Sequence, residues 1–191
     1  MHYNYLIVGG GIAGVTAAET VRAEEPDATI AIISQEPQLL YSRVLLPHYI
    51  RGKVPRERVF LKKPEWYGAQ NIQWLTGVIA THLDARNKFV GASDGREYAF
   101  DKLLIATGGE ARRVEDDLRG VSYLRTLDDA DHFLQLMTQQ GRRARGAIYG
   151  GGFIACEYVN LFEQFNVPVA LAHRGAHFWT GVLEQEAGAL I

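Results

Sequence analysis

One glycine-rich segment occurs twice in the sequence. Residues 6–14 read Leu-Ile-Val-Gly-Gly-Gly-Ile-Ala-Gly, and residues 147–155 read Ala-Ile-Tyr-Gly-Gly-Gly-Phe-Ile-Ala. Each copy begins with an apolar run typical of a buried strand and leads into residues typical of a packed helix. A strand, a glycine turn and a helix in this order bind phosphate, because the helix amino terminus presents unpaired amides and a partial positive charge. The sequence therefore predicts two dinucleotide-binding units in one α/β chain.

The first loop has the full GxGxxG spacing. Gly9 allows the tight turn, Gly11 lets the backbone approach a pyrophosphate, and Gly14 permits close packing of helix on strand. A second strand is expected at residues 29–33, and Glu36 follows it, where a carboxylate accepts hydrogen bonds from ribose hydroxyls. A glycine turn with a purely structural role is the alternative. The predicted nucleotide contacts are Gly9, Gly11, Ile12, Ala13, Gly14 and Glu36.

The middle of the chain predicts short helices and then a β-meander. Helices are expected at residues 42–51 and 64–69. Segments with strand composition follow, separated by residues typical of turns. The predicted strands are residues 78–83, 88–92, 97–100 and 103–106.

A charged stretch at residues 110–119 separates the two glycine loops. We place the domain boundary there, which gives domains at residues 1–113 and 114–191. Thr126 or Asp128 is expected near the start of the next helix. The second domain is expected to be incomplete, because one β-α-β unit does not complete a doubly wound sheet. Its predicted elements are helices at residues 128–140, 157–165 and 183–190 and a strand at residues 167–172.

Composition excludes several classes of protein. The 191 residues, 47% of them hydrophobic, include no apolar run of the ~20 residues that span a membrane. No signal peptide is evident, so the cytoplasm is the expected location. The formal charge of −2 offers no broad basic field for nucleic acid, and residues 142–145 are interpreted as a solvated turn. The one cysteine, Cys156, cannot form an internal disulfide or a CxxC redox pair, and alone it cannot make a cysteine metal cage, so redox chemistry requires a bound cofactor.

The order of the motifs resembles that of a known superfamily. Residues 5–14, Glu36, residues 41–47, residues 100–108 and residues 150–157 follow one another as in the two-dinucleotide-binding-domain flavoproteins, the pyridine nucleotide-disulfide oxidoreductase superfamily. Within it the chain is similar to rubredoxin reductases, oxygenase-coupled ferredoxin reductases and the flavin portion of assimilatory nitrite reductase. The resemblance implies a Rossmann-like FAD-binding domain with a parallel sheet and a β-meander. The first β-α-β unit of a Rossmann-like NAD(P)-binding domain would follow it.

The same resemblance implies an NAD(P)H:acceptor oxidoreductase. A redox protein such as rubredoxin or ferredoxin would be its partner, and homo-oligomerisation is left open. Arg43 would balance charge on the flavin cofactor, although a lone arginine is otherwise a surface residue. The isolated chain is expected to be inactive and to hold FAD weakly or not at all, because relatives complete the pocket with a returning carboxy-terminal segment. Backbone contacts to FAD would come from Ile79, or its neighbour Val78, and from Ala106, Thr107 and Gly108.

The second loop favours NADPH over NADH. It ends in Ala155 where the first loop has a glycine, and in relatives an alanine there often goes with NADP. An NAD site needs a carboxylate after the second strand, whereas this chain has His173 and Arg174, which could pair with a 2′-phosphate. NADH stays open as the alternative. The predicted contacts are Gly150, Gly152, Phe153, Ile154, Ala155, His173 and Arg174.

Two further residues are implied at the hydride-transfer position. His48 stands where many relatives have a lysine, and Glu157 matches the glutamate that meets this lysine near flavin N5. A His48–Glu157 pair would keep a charge-compensated polar group there, and the histidine could change protonation state near neutrality. A plain surface role for His48 is the alternative.

Two rival functions are weighed against the oxidoreductase. A coenzyme A-disulfide or NAD(P)H-disulfide reductase needs a cysteine beside the flavin, and this chain has Val44 near that place. Cys156 follows the second loop and is interpreted as a small buried side chain. The other rival is a catalytically silent nucleotide-binding module.

Overall fold

The computed structural model describes residues 1–113, 118, 120–140, 144–188 and 190. These residues form two compact units, one from Met1–Ser42 with Glu57–Glu110 and one from Arg43–Arg56 with Ala111–Ile191. The chain passes finally from the first unit to the second between Glu110 and Ala111, close to the expected boundary. Residues 43–56, which precede that boundary, also belong to the second unit by their contacts. The described residues do not include part of the charged stretch at residues 110–119. They also do not include Arg142 and Arg143 of the predicted solvated turn at residues 142–145.

The elements are numbered here in chain order. The strands are β1 (His2–Val8), β2 (Ile30–Ser34), β3 (Ile72–Thr76), β4 (Ala80–Asp84), β5 (Phe89–Ala92), β6 (Glu97–Ile105), β7 (Gly146–Tyr149) and β8 (Val169–Ala172). The helices are α1 (Ile12–Glu24), α2 (Leu46–Ile50), α3 (Pro64–Ala69), α4 (Leu127–Gln140), α5 (Phe153–Gln164) and α6 (Gln185–Gly188). No helix within the described residues is both long and apolar enough to cross a membrane.

The first unit is built on a six-stranded sheet with the order β3-β2-β1-β6-β5-β4. β1 runs parallel to β2 and β6, and β2 runs parallel to β3. β4, β5 and β6 pair antiparallel. The parallel sheet and the β-meander predicted from the sequence are therefore confirmed, and they are parts of one sheet.

Both faces of the sheet are covered, which explains the unbroken apolar run of β2. Ile30 and Ile32 pack on the face that carries Val15 of α1, whereas Ala31 and Ile33 pack on the face that carries Tyr98. Alternate residues of a strand point to opposite faces, so a central strand covered on both sides is apolar throughout. Each fully buried branched side chain contributes about 1.5–3 kcal/mol.

Two strand predictions are corrected by the structure. Residues 97–100 and 103–106, expected as separate strands, lie in the single strand β6 apart from Ala106. β6 continues because Lys102 still pairs with Tyr5 of β1, while Ala99 pairs with Phe89 of β5. β3 was missed, because Ile72–Thr76 is a short run with a polar Gln73 at its second position.

The second unit contains one β-α-β motif with helices around it. β7 pairs parallel with β8, from Gly146 opposite Val169 to Tyr149 opposite Ala172. The ring of Phe133 on α4 lies 5.6 Å from that of Phe162 on α5, so the two helices share an aromatic core. α6 is shorter than the predicted helix at residues 183–190, of which residue 189 lies outside the described part.

α4 begins with a reciprocal cap. The Asp129 amide donates to the Thr126 hydroxyl at 3.1 Å, and the Thr126 amide donates to the Asp129 carboxylate at 2.8 Å. Two amides at the helix start are satisfied in this way. Of the two residues expected near this helix start, Thr126 is the one that caps it.

Candidate nucleotide-binding sites

The first glycine loop is packed against the end of β6. Gly9 has φ +123°, and a Cβ built on it would lie 2.1 Å from the Ala106 carbonyl oxygen. A Cβ on Gly14 would lie 2.0 Å from the Gly9 carbonyl oxygen. Neither position can hold a side chain without moving the backbone, so both glycines are needed for the turn and for the packing of α1.

Gly11 is different, because a Cβ built on it would meet nothing within 4 Å. It precedes α1 in an extended conformation and gives that helix no side-chain cap. The first turn of an α-helix has no intrahelical acceptors for its amides, and the next residues Ile12 and Ala13 are exposed. Open space in front of uncapped amides fits the pyrophosphate of a dinucleotide.

Glu36 is held at the end of β2. Its carbonyl oxygen accepts hydrogen bonds from the Ser34 hydroxyl at 3.1 Å and the Thr76 hydroxyl at 3.4 Å, and its carboxylate accepts one from the Tyr41 hydroxyl. β1 and β2 are adjacent parallel strands, so Glu36 follows the same edge of the sheet as Gly9. The predicted ribose ligand and the first glycine loop are therefore brought to one edge.

The end of β6 reaches this edge as well. The Ala106 amide donates to the Val8 carbonyl at 2.8 Å, and Gly108 turns the chain with φ +71°. Thr107 and Gly108 are exposed. Three carboxyl ends of parallel strands thus bring together the first glycine loop, Glu36 and residues 106–108, the arrangement in which open α/β sheets bind ligands.

Two other predicted FAD contacts have partners within the protein. The Ile79 amide donates to the Ser93 hydroxyl at 2.9 Å, and the Ser93 amide donates to the Ile79 carbonyl at 2.8 Å. The Arg43 guanidinium donates to the Arg125 carbonyl, within the second unit. Their contacts with FAD stay predictions.

The second glycine loop repeats the geometry of the first. Gly150 has φ +143°, and its amide donates to the Ala172 carbonyl at 2.8 Å. Gly152 precedes α5 in an extended conformation without a side-chain cap, and Cβ atoms built on Gly150 or Gly152 would meet nothing within 4 Å. Phe153 and Ile154 are exposed, whereas Ala155 is buried. The loop again presents uncapped helix amides to open space.

A cavity of about 410 Å³ adjoins this loop. His173 and Arg174 line it, so the structure brings the two residues predicted to select the nucleotide next to the predicted phosphate loop. A Cβ on Gly151 would lie 3.1 Å from His173, which shows how closely the loop approaches this histidine. The described lining is Tyr149, Gly150, Gly151, His173, Arg174, Gly175, His177 and Thr180.

The rest of the loop after β8 was not predicted to contribute to the site. The Trp179 amide donates to the Gly151 carbonyl at 3.0 Å, and the rings of Trp179 and Phe153 lie 4.5 Å apart. The Thr180 hydroxyl donates to the His177 carbonyl at 2.7 Å. These contacts hold the loop in place along one side of the cavity. No sequence pattern predicts a loop that folds back in this way.

In this structure Glu157 pairs with Arg51 and not with His48, so the expected His48–Glu157 pair stays a prediction. The Glu157 carboxylate is paired with Arg51, whose Nη2 lies 2.6 Å from Glu157 Oε2, whereas His48 is exposed. Arginine has the longer side chain, a permanent charge and five donors, so it satisfies the carboxylate better than a neutral imidazole. Arg51 was not predicted as a site residue, because a lone arginine three positions beyond His48 carries no signal of its own.

Each unit has a glycine loop at the carboxyl end of its first strand, which pairs parallel with the strand that follows the next helix. This arrangement defines an α/β protein with two β-α-β units of the dinucleotide-binding type. The sequence matches the family described as "Pyridine nucleotide-disulphide oxidoreductase" over residues 3–191, and the chain belongs to this family. The family and the α/β fold expected from the motifs are confirmed.

The relatives are redox enzymes by name. The chain is 32% identical over 186 residues to the ferredoxin reductase component of chlorobenzene dioxygenase from Cupriavidus sp. (strain PS12), covering 96% of this chain and 45% of that protein. It is 33% identical over 190 residues to rubredoxin-NAD(+) reductase from Pseudomonas putida, covering 97% of this chain and 49% of that protein. The chain therefore spans about half the length of the curated relatives it matches.

A solved structure shows the same fold. The NADH:rubredoxin oxidoreductase from Clostridium acetobutylicum superposes with a TM-score of 0.87 at 26% identity, covering 99% of this chain and 49% of that one. The name of the Clostridium protein mentions NADH, and that of the Pseudomonas putida relative mentions NAD(+). Family membership by itself therefore does not favour NADPH.

Proposed function

We propose that this chain carries both nucleotide loops of an FAD-dependent NAD(P)H:acceptor oxidoreductase. The observation that carries the proposal is the pair of uncapped glycine loops at the starts of α1 and α5, each facing open space in a chain of this flavoprotein family. The reductase names of the relatives supply the reaction class, and they suggest ferredoxin or rubredoxin as the acceptor.

The first loop is proposed to hold FAD. When bound, the flavin accepts a hydride from NAD(P)H and releases electrons singly or in pairs. The amides of Ile12 and Ala13 would bind the pyrophosphate, and the Glu36 carboxylate would accept hydrogen bonds from ribose hydroxyls. From the resemblance, Arg43 is proposed to balance negative charge on the flavin cofactor. Backbone contacts to FAD are proposed for Ile79, Ala106, Thr107 and Gly108.

The second loop is proposed to hold the nicotinamide nucleotide, with NADPH favoured. Basic side chains line the cavity beside the loop, namely His173, Arg174 and His177, and the described lining includes no carboxylate. A 2′-phosphate gains charge-assisted hydrogen bonds from such groups, whereas the 2′-hydroxyl of NADH prefers a carboxylate. The uncapped amides of Phe153 and Ile154 would bind the pyrophosphate.

Glu157 and His48 are proposed for the hydride-transfer position by resemblance. The Arg51 guanidinium orients the Glu157 carboxylate, so Glu157 would act as a fixed negative group and not as a partner of His48. A role for His48 then depends on contacts with the cofactor or substrate. Disulfide exchange is not proposed, because Cys156, the one cysteine of the sequence, lies on α5 behind the second loop.

The test is anaerobic reduction of FAD by NADPH in the presence of a full-length version of the protein, because the 191-residue chain by itself is expected to be inactive. FAD is supplied in excess, so that weak binding does not limit occupancy, and bleaching of the flavin absorbance is followed. We expect faster bleaching than with free FAD, and loss of the acceleration in Gly11→Val and in Gly152→Val. A full-length wild type that binds both nucleotides and leaves the rate at that of free FAD would favour the silent nucleotide-binding module.

A further inference from the structure

Arg51 holds α5 at two points. Its Nη2 pairs with Glu157 Oε2 at 2.6 Å, and its carbonyl oxygen accepts a hydrogen bond from Gln164 Nε2 at 2.8 Å. Seven residues make about two helical turns, so Glu157 and Gln164 lie on one face of the helix. Arg51 lies 106 positions before Glu157 in the chain, yet both belong to the same compact unit.

The charge of Arg51 is largely withdrawn from water. Its side chain is 16% exposed, whereas that of Glu157 is 40% exposed. Loss of one partner of such a pair leaves the other charge uncompensated, which costs more than the pair itself contributes. The consequence for the helix depends on which charge is left behind.

Glu157 stands where an uncompensated negative charge would oppose nucleotide binding. It is the fifth residue of α5, one turn beyond the amino terminus that follows Gly152. A rise of about 1.5 Å per residue separates it from the first amides by roughly 6 Å along the helix axis. At this range a bare carboxylate weakens the attraction of the helix end for phosphate, by roughly three- to tenfold in affinity after allowance for solvent.

We propose that Arg51 is a positioning residue of the nicotinamide-nucleotide site. It neutralises and fixes Glu157, so that the amino terminus of α5 keeps its positive potential for the dinucleotide phosphates. The inference rests on the proposed function, because it takes the second glycine loop to bind a dinucleotide. It also explains why residues 43–56 pack with the second unit, since this segment contains the arginine that compensates the charge on α5.

A double-substitution cycle tests the proposal with the wild-type chain, Arg51→Gln, Glu157→Gln and the double variant. The dissociation constant of NADPH is measured by isothermal titration calorimetry. Arg51→Gln is expected to bind roughly three- to tenfold more weakly, Glu157→Gln as tightly as wild type or tighter, and the double variant to recover most of the loss. The Arg51→Gln defect should shrink as salt rises, because ions screen the uncompensated carboxylate.

Two variants separate charge compensation from simple clamping of the segment. Arg56→Gln removes the 3.0 Å ion pair of Arg56 with Asp131, which anchors the same segment to α4, and it should leave NADPH affinity unchanged. Arg51→Lys keeps the charge without the planar fork and should bind within about twofold of wild type. Thermal melting of every variant confirms folding.

Several results would overturn the proposal. Unchanged affinity in Arg51→Gln, or a double variant as weak as Arg51→Gln, would show that Glu157 needs no compensation. If Arg51→Gln does not fold, weaker binding by Glu157→Gln than by wild type would contradict the account on its own. A wild-type chain that does not bind NADPH would instead overturn the proposed function, and the inference with it.

Discussion

Gly9 and Ala106 lie so close that a Cβ on Gly9 would stand 2.1 Å from the Ala106 carbonyl oxygen. The Ala106 amide is in turn bonded to the Val8 carbonyl at 2.8 Å, one residue before Gly9. The first glycine loop and the end of β6, which are nearly a hundred positions apart in the sequence, therefore form one packed unit. A change on either side is transmitted to the other.

The first prediction separates the structural glycines from the binding glycine. Gly9→Ala must relieve both the contact with Ala106 and a φ of +123°, so we expect it to lower the free energy of unfolding by about 2–4 kcal/mol. Gly11→Ala meets open space and should stay within about 0.5 kcal/mol of wild type. Urea unfolding followed by circular dichroism measures both. Equal stability of the two variants would show that the close approach to Ala106 is not rigid.

Much of this arrangement can be predicted from the sequence, because local patterns encode it. The glycine spacing, the apolar runs of β1 and β2 and the carboxylate Glu36 all lie in or directly after the first β-α-β unit, and their placement follows from that single local unit. The structure brings these residues to one sheet edge as expected.

The rest could not be predicted, because it depends on contacts between residues distant in sequence. Arg51 pairs with Glu157 across 106 positions, and no periodicity links the two. Trp179 folds back on Gly151 through a backbone hydrogen bond, which any residue could make. β6 continues through the consecutive charged residues Asp101 and Lys102 because β1 supplies pairing partners before and after them, from Ala99 to Ile105.

The second prediction concerns the choice between NADPH and NADH. In His173→Glu a carboxylate replaces a group lining the cavity, which repels a 2′-phosphate and offers an acceptor to a 2′-hydroxyl. We expect the preference for NADPH to fall by about 1–3 kcal/mol, measured as the ratio of the two dissociation constants.

His82→Glu is the matched control, because it adds the same charge at an exposed residue of β4 in the first unit. It should leave the ratio unchanged. If His173→Glu also leaves the ratio at its wild-type value, the selector lies elsewhere and the assignment of the cavity is wrong.

The third prediction uses the titration of a tyrosine in the second unit. Burial raises the pKa of Tyr158 to about 12, and its hydroxyl lies 3.1 Å from the Ser122 hydroxyl. An unfolded tyrosine titrates near pH 10, so the folded state keeps the proton longer than the unfolded state. The stability that this group contributes is present below about pH 10 and is lost as the pH rises toward 12.

Tyr158→Phe should therefore flatten the fall in unfolding free energy between about pH 10 and pH 12. At neutral pH it should cost about 0.5–1.5 kcal/mol for the lost hydrogen bond. Tyr149→Phe serves as the control, since Tyr149 is 75% exposed. An alkaline profile of Tyr158→Phe that is parallel to wild type would mean that burial does not hold the proton on this phenol.

The central claim is that the chain binds FAD at its first glycine loop, and a titration with FAD tests it most directly. Flavin fluorescence is measured as wild type, Gly11→Val and Gly152→Val are added, with circular dichroism confirming that each is folded. Weak but saturable binding is predicted for wild type and for Gly152→Val, and none for Gly11→Val, whose side chain would fill the open space before α1. Equal FAD binding by Gly11→Val and wild type, or loss of binding in Gly152→Val alone, would contradict the account.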